Sequence, residues 1–158
     1  MKLLGCLLVT ASGLCWGLER ARRLRRRTEL LEELLGLMQF LHTEISYSAC
    51  SLGQLLARGS DSFSRAAAEL RIFSQEPVAA LAEAGNSLLL CGNDRELFRS
   101  FTQGLGASDT QGQMEHLELH MALARERLRE AREDYMQKNR LYITLGLFTG
   151  AAVCVVIL

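Results

Sequence analysis

The hydrophobic positions of this 158-residue chain follow two patterns that change near residues 18 and 141. Residues 3–18 (LLGCLLVTASGLCWGL) and 141–158 (LYITLGLFTGAAVCVVIL) are uncharged and mostly apolar. Between them, apolar residues recur at intervals of three and four positions, which is the period of an amphipathic helix. Strand-like alternation is nearly absent, and the single proline is Pro77. The pattern therefore predicts an all-α fold.

Helix-start and helix-stop signals divide the chain into six predicted helices. Three starts carry the capping-box spacing of a small polar residue followed three positions later by Glu or Gln: Ser51 with Gln54, Asn93 with Glu96, and Ser108 with Gln111. The predicted helices are 28–47 (joined to the first apolar run), Ser51 to Gly59, 62–73, Pro77 to about Cys91, Asn93 to Gly104, and Ser108 to the C-terminal end. The predicted fold class is a six-helix bundle whose first and last helices extend as transmembrane segments.

The two apolar runs are long enough to be membrane helices. At about 1.5 Å per residue they span roughly 24–27 Å, slightly less than a hydrocarbon core of about 30 Å. A cleaved signal peptide is the alternative for the first run, but six arginines follow it directly, and positive charge there resists translocation. The sequence therefore predicts transmembrane helices at 1–18 and 141–158 around a body at 19–140.

Basic residues flank both predicted membrane helices on the side of the body. They are Arg20, Arg22, Arg23, Arg25, Arg26 and Arg27 after the first helix, and Lys138 and Arg140 before the last. The positive-inside rule then places the body in the cytoplasm and both termini outside. Anionic head groups would attract each of these cations by about 1 kcal/mol. A nucleic-acid patch is the alternative, but no aromatic residues accompany the run and the formal net charge is zero, so we expect no nucleic-acid partner.

Each apolar run contains two glycines four positions apart: Gly13 with Gly17, and Gly146 with Gly150. Small residues at this spacing allow two membrane helices to approach closely. The glycines therefore mark helix packing, within one chain or between copies, or they reflect the general tolerance of membrane helices for glycine. The sequence leaves these alternatives open.

Motifs for catalysis and nucleotide binding are missing from the sequence. It contains no GxxxxGK[ST], GxSxG or HExxH. His116 and His120 lie four positions apart on a predicted helix, but no third ligand stands at a recognised metal-site spacing. The five cysteines form no C-x-x-C pair, and free thiols fit a cytosolic body. We therefore expect no enzyme activity, no cofactor, no metal and no small-molecule substrate.

Four stretches resemble the stage III sporulation protein AB family of endospore-forming bacteria, and together they cover nearly the whole chain. They are the apolar N-terminus with its arginines, LHTEISYSACSLGQLL (41–56), LGASDTQGQMEHL (105–117) and KNRLYITLGLFTGAAVCVVIL (138–158). The last two are the specific ones, because the others recur in many membrane proteins. The family's usual proline before the second helix is absent, since Cys50 and Ser51 stand there.

The resemblance implies a non-enzymatic platform in the channel complex that the mother cell builds toward the engulfed forespore. The body would be similar to the helical domains of F-type platform proteins of type II secretion and type IV pili. The implied partners are the ATPase of the complex (stage III sporulation protein AA), other channel subunits and further copies of this chain. The implied location is the mother-cell membrane around the forespore. An F-type scaffold of another secretion or pilus system is the alternative.

The resemblance also assigns four residues to a turn and helix cap: Leu105, Gly106, Ser108 and Asp109. This turn either orients the last helix or contacts the ATPase directly. The first role is structural, and the second would make the turn part of a docking surface.

Overall fold

The computed structural model describes residues 2–47 and 50–157, and the described chain is helical with short connecting loops. The helices are α1 (Lys2–Tyr47), α2 (Leu52–Arg58), α3 (Ser62–Ala68), α4 (Pro77–Leu88), α5 (Gly92–Gly104) and α6 (Thr110–Ile157), with a short 3₁₀ helix at Arg71–Ser74. The prediction of an all-α fold with six α-helices is therefore confirmed for the described ranges. The chain folds into two compact units. The body unit is Glu29–Arg129, and the terminal unit consists of the segments before Glu29 and after Arg129.

The body unit uses one face of α1 as a main part of its core. Buried side chains recur along this helix at intervals of three and four positions: Leu30, Leu31, Leu34, Leu37, Met38 and Leu41. Full burial of one such side chain contributes about 1.5–3 kcal/mol. The predicted amphipathic helix is therefore confirmed, although Leu35 and Ile45 at the edges of its apolar face are only half-buried.

Stacked aromatic rings join α3 and α5 at the centre of the body. The ring centroids of Phe63 and Phe98 are 5.0 Å apart, and Phe98 and Phe101 pack edge to face with centroids 5.9 Å apart. Gly85 of α4 makes room for this cluster, because a Cβ at that position would lie 2.1 Å from Phe98 Cε1. The missing side chain thus allows α4 to pack directly on the aromatic rings.

The predicted helix starts have mixed outcomes. As predicted, Ser51 caps the start of α2 by accepting a hydrogen bond from the Gln54 N–H at 3.4 Å, and Gly59 stands at its C-terminal cap, directly after Arg58. The predicted cap at Asn93 is wrong. The helix α5 already begins at Gly92, so Asn93 lies inside its first turn, and the residue at the N-cap position, Cys91, makes no side-chain capping bond.

Two helix ends also differ from the predictions. The helix predicted at 62–73 ends at Ala68, because Leu70 adopts an extended backbone before the 3₁₀ helix begins. Its start is capped by Asp61, whose Oδ1 accepts the Ser64 N–H at 2.8 Å. The helix α4 ends at Leu88 rather than near Cys91, since the next residue is extended and buried.

The terminal unit consists of the first part of α1 and the last part of α6. In this unit Asp134 forms ion pairs with two cations: its Oδ2 lies 3.6 Å from Arg27 Nη1, and its Oδ1 lies 2.5 Å from Lys138 Nζ. Within the described residues, no helix is long and apolar enough to cross a membrane. The predicted transmembrane segments at 1–18 and 141–158 are therefore not supported by the structure.

Candidate functional site

The α5–α6 turn, defined here as Leu105–Asp109, contains the four motif residues named from the sequence. Leu105 points into the core and is 6% exposed, whereas the following residues of the turn are exposed. The backbone reverses with two hydrogen bonds: Leu105 N–H donates to Thr102 at 3.2 Å and Ala107 N–H donates to Gly104 at 3.3 Å. Gly106 has a φ of 79°, a left-handed conformation that a side chain would strain. The motif glycine is therefore required by the backbone.

One buried side chain, Gln113, holds this turn from the first part of α6. Its Nε2 donates to the Gly104 carbonyl at 3.0 Å and to Ser108 Oγ at 3.2 Å. Its Oε1 accepts the Gly106 N–H at 3.1 Å. The residue is 5% exposed, so the amide is a buried group with its bonding capacity used. Sequence reasoning missed Gln113, although a polar residue on the core-facing side of α6 was a usable signal.

Asp109 caps α6 in place of the predicted Ser108. Its Oδ1 accepts the Gly112 N–H at 3.0 Å, and its carbonyl accepts the Gln113 N–H at 2.9 Å. The predicted cap at Ser108 is wrong by one position, because the Ser108 hydroxyl is bonded to the Gln113 amide instead. The carboxylate also lies at the positive end of a long helix dipole, which favours it by about 0.3–1 kcal/mol.

The two histidines of α6 fasten this helix to α5 below the turn. The Nε2–H of His116 donates to the Phe101 carbonyl at 2.9 Å. His120 Nδ1–H donates to the His116 carbonyl at 2.8 Å, and its Nε2 lies 3.2 Å from Ser100 Oγ, whose hydroxyl can donate to it. Burial lowers the pKa of His120, which is 4% exposed. Both rings therefore have hydrogen-bond partners between the two helices, and burial favours the neutral form of His120.

Close packing against α5 also limits what the histidines can do. A Cβ at Gly104 would lie 2.1 Å from His116 Cε1, so the imidazole fills the space beside the last residue of α5. Across the described ranges, no group of three or more histidine, cysteine, aspartate or glutamate side chains is arranged to hold a metal ion. The arrangement here is a packed joint between two helices.

Two stretches that carried the family resemblance meet beside the turn. At the end of α1, Ser46 Oγ lies 3.4 Å from Met114 Sδ, and His42 Nε2 lies 3.5 Å from Glu118 Oε1 without a hydrogen bond between them. The turn itself lies against α2, since a Cβ on Gly106 would be 3.3 Å from a Leu52 methyl. Segments 41–56 and 105–117 thus form one junction in space.

Comparison with known families gives a match over nearly the whole chain. The family model for stage III sporulation protein AB matches residues 2–158. The chain belongs to the stage III sporulation protein AB family. Membership gives it a role in stage III of sporulation, and the family is one of sporulation proteins rather than a known enzyme family. No match was found among curated proteins or among solved structures.

The arginine run of this family member is a charged section of α1 in the terminal unit. The side chains of Arg20, Arg22, Arg23, Arg25 and Arg26 are exposed, and Arg27 is half-buried beside Asp134. Six arginines in nine positions point around most of the helix, because successive residues turn by about 100°. Arg23 forms an exposed ion pair with Glu19 at 2.9 Å, of a kind that contributes at most about 1 kcal/mol.

The glycine predictions can be followed only in part. Gly17 is buried in the terminal unit. The burial of Gly13, Gly146 and Gly150, and the side chain of Arg140, lie outside what the structure describes. Helix packing through the two glycine pairs therefore stays a prediction.

Proposed function

We propose that this chain is a non-enzymatic membrane platform of the stage III sporulation channel complex and that its body docks the cytoplasmic ATPase of that complex. Family membership supports the sporulation role. The absence of a nucleotide-binding motif in the sequence agrees with a chain that works beside an ATPase. The docking proposal is carried by one observation. Hydrogen bonds hold the backbone of the α5–α6 turn in one conformation, and consecutive residues of this turn are exposed.

The exposed tip of the turn consists of Ala107, Ser108 and Asp109. Hydrogen bonds from Gln113, from the Ala107 N–H and to the Asp109 carboxylate fix the backbone on both sides of it. A surface that is ordered before binding loses little conformational entropy when a partner binds. We propose that this tip contacts the ATPase.

A matched pair of substitutions tests the contact. Ala107→Arg adds a long cation at the tip and leaves every described side-chain hydrogen bond of the turn in place, whereas Ala79→Arg adds the same group to an exposed position of α4. Tagged full-length chain in detergent is incubated with the sporulation ATPase, with and without ATP, and bound ATPase is quantified. We expect Ala107→Arg to reduce binding at least tenfold and Ala79→Arg to bind like the parent. Equal binding by all three would contradict the proposal.

Membrane attachment of the chain is proposed from its sequence. The two uncharged runs and the basic residues beside them fit two anchors with the body in the cytoplasm, in the mother-cell membrane around the forespore. Cys91 is a free, half-buried thiol in the body and serves as a reporter. In a variant that keeps only Cys91, a membrane-impermeant maleimide should label the thiol only after the membrane is opened. The experiment uses non-sporulating cells that produce the chain, in which both termini would face the medium. A cysteine added after Leu158 is the control and should react while these cells are intact, and labelling of Cys91 before the membrane is opened would overturn this topology.

A further inference from the structure

The body unit carries a groove on the side of α1 away from α6. The groove encloses about 430 Å³, and Leu37 and Phe40 form its apolar floor. Gly36 leaves it open, because a Cβ there would have nothing within 4 Å. Arg58 and Arg65 stand at its rim and are exposed. On α1, Phe40 lies about 160° around the helix axis from His42, which faces α6, so the groove and α6 lie on opposite sides of this helix.

Two carboxylates and two guanidinium groups line this groove, and they differ in whether they have a partner in the chain. Both carboxylates are bonded inside the chain. Glu33 Oε2 accepts the Ser62 N–H at 2.9 Å, and both oxygens of Asp61 accept from Ser64, at 2.8 and 2.7 Å. In the described part of the chain, neither rim guanidinium, Arg58 nor Arg65, forms a hydrogen bond or ion pair. Unpaired guanidinium groups beside an apolar floor fit an acidic surface with a projecting apolar side chain.

The same unit displays a surface of that kind on α6. Leu119 and Leu123, one helical turn apart, are 58% and 46% exposed. Glu115 and Glu118 flank them on the N-terminal side and are also exposed. Each has one neighbour in the chain: Glu115 Oε1 accepts from Gln111 Nε2 at 2.9 Å, and Glu118 Oε1 lies 3.5 Å from His42 Nε2. We call this acidic and apolar surface, which is formed by Glu115, Glu118, Leu119 and Leu123, the α6 ridge. Its position on the other side of α1 prevents it from filling the groove of its own chain.

We propose that the α6 ridge of one copy of this chain docks in the groove of a second copy. The exposed leucines then cover the half-buried Phe40 ring, and the ridge carboxylates meet Arg58 and Arg65. Such a contact joins two different surfaces, so each copy keeps one free groove and one free ridge for further copies. Repeated contacts of this type close into a ring or continue as an open array. The proposal goes beyond docking of the ATPase and does not depend on it.

Charge reversal in two separate chains gives a specific test. The groove variant carries Arg58→Glu and Arg65→Glu, and the ridge variant carries Glu115→Arg and Glu118→Arg. A matched control, Arg71→Glu with Arg99→Glu, reverses two exposed arginines elsewhere in the body unit. Self-association of the full-length chain in detergent is measured by analytical ultracentrifugation, and thermal unfolding checks that each variant is folded.

Each reversed chain alone should associate at least tenfold more weakly than the parent, while the control associates normally. An equimolar mixture should associate again, because the acidic groove of one variant meets the basic ridge of the other. A misfolded variant could not be rescued in this way. Parent-like association of both reversed chains, or no recovery in the mixture, would overturn the proposal.

Cysteine pairing provides a second measurement that does not depend on charge. Gly36→Cys in one chain and Leu119→Cys in the other place thiols on the groove and on the ridge. Under mild oxidation, the mixed chains should form a heterodimeric disulfide well above the level given by the parent cysteines. The control pair, Gly36→Cys with Gln103→Cys, places the second thiol on an exposed position of α5 and should stay at that background level. Equal cross-linking of the two pairs would also refute the ridge-in-groove contact.

Discussion

Replacing Gln113 with alanine removes the side chain that connects both ends of the α5–α6 turn to α6. The Gly104 carbonyl and the Gly106 N–H lose partners that lie 3.0 and 3.1 Å away in the structure. A hydrogen bond of this type contributes a net of about 0.5–1.5 kcal/mol. The third bond goes to the exposed Ser108 hydroxyl, which water can satisfy, so we assign it no net contribution. The expected loss of stability is therefore about 1–3 kcal/mol.

Thermal unfolding of the full-length chain, followed by circular dichroism, measures this loss. In a chain of this size, 1 kcal/mol lowers Tm by roughly 2–4 °C, so about 2 kcal/mol corresponds to roughly 4–8 °C. The matched control is Gln103→Ala, because the Gln103 side chain is exposed on α5 and makes no hydrogen bond within the described ranges. This variant should unfold within about 0.5 kcal/mol of the parent, as surface substitutions usually do.

A second variant at the same position separates lost hydrogen bonds from lost volume. Gln113→Glu keeps an acceptor for the Gly106 N–H but turns a carboxylate oxygen toward the Gly104 carbonyl. At neutral pH it should therefore destabilise at least as much as Gln113→Ala, although its size is almost unchanged. The reasoning would be refuted if Gln113→Ala unfolded like Gln103→Ala, or if Gln113→Glu restored the stability of the parent.

Three further predictions concern the cap, the core and a buried histidine. Asp109→Ala removes the cap of α6 and should cost about 0.5–2 kcal/mol in thermal unfolding, with a smaller loss for Asp109→Asn. Gly85→Ala would place a methyl group 2.1 Å from the Phe98 ring and should lower the free energy of unfolding by about 1–3 kcal/mol. Gly36→Ala has open space around the added methyl group and should instead raise the free energy of unfolding by about 0.5–1 kcal/mol. Burial lowers the pKa of His120, so its neutral ring stabilises the fold above about pH 6.5 and this contribution is lost as pH falls through the folded-state pKa. In unfolding measured across that range, His120→Gln should show a weaker pH dependence than the parent.

Periodic features were the predictable part of the fold. Leucines spaced three and four positions apart predicted which face of α1 is buried, because residues at this spacing lie on one side of a helix and that side packs against the core. The start of α2 was predictable for the same reason. The Ser51 hydroxyl accepts a hydrogen bond from the Gln54 N–H, which is only three residues away in the sequence. Both predictions depended on groups that are close in sequence.

Predictions failed where distant groups choose between local alternatives. Ser108 and Asp109 are both good capping residues at adjacent positions. The sequence does not show that the Ser108 hydroxyl is bonded to the Gln113 amide, which leaves Asp109 as the cap. The Gln113 clamp joins the end of one helix to the start of another, so no local pattern reveals it. The groove was missed for the same reason, because Phe40 and Arg58 come together only after α1 and α2 have packed.

The α5–α6 turn can hold α5 against α6, contact the ATPase, or do both, and two substitutions distinguish these roles. Ala107→Arg alters the exposed tip, so a docking role predicts weaker ATPase binding with an unchanged Tm. Gln113→Ala loosens the backbone beneath the tip, so the same role predicts that binding and Tm fall together, because the partner must then order the turn. If Gln113→Ala lowered Tm while ATPase binding remained at the parent level, the turn would be a structural joint. The ATPase would then have to contact another surface of the body.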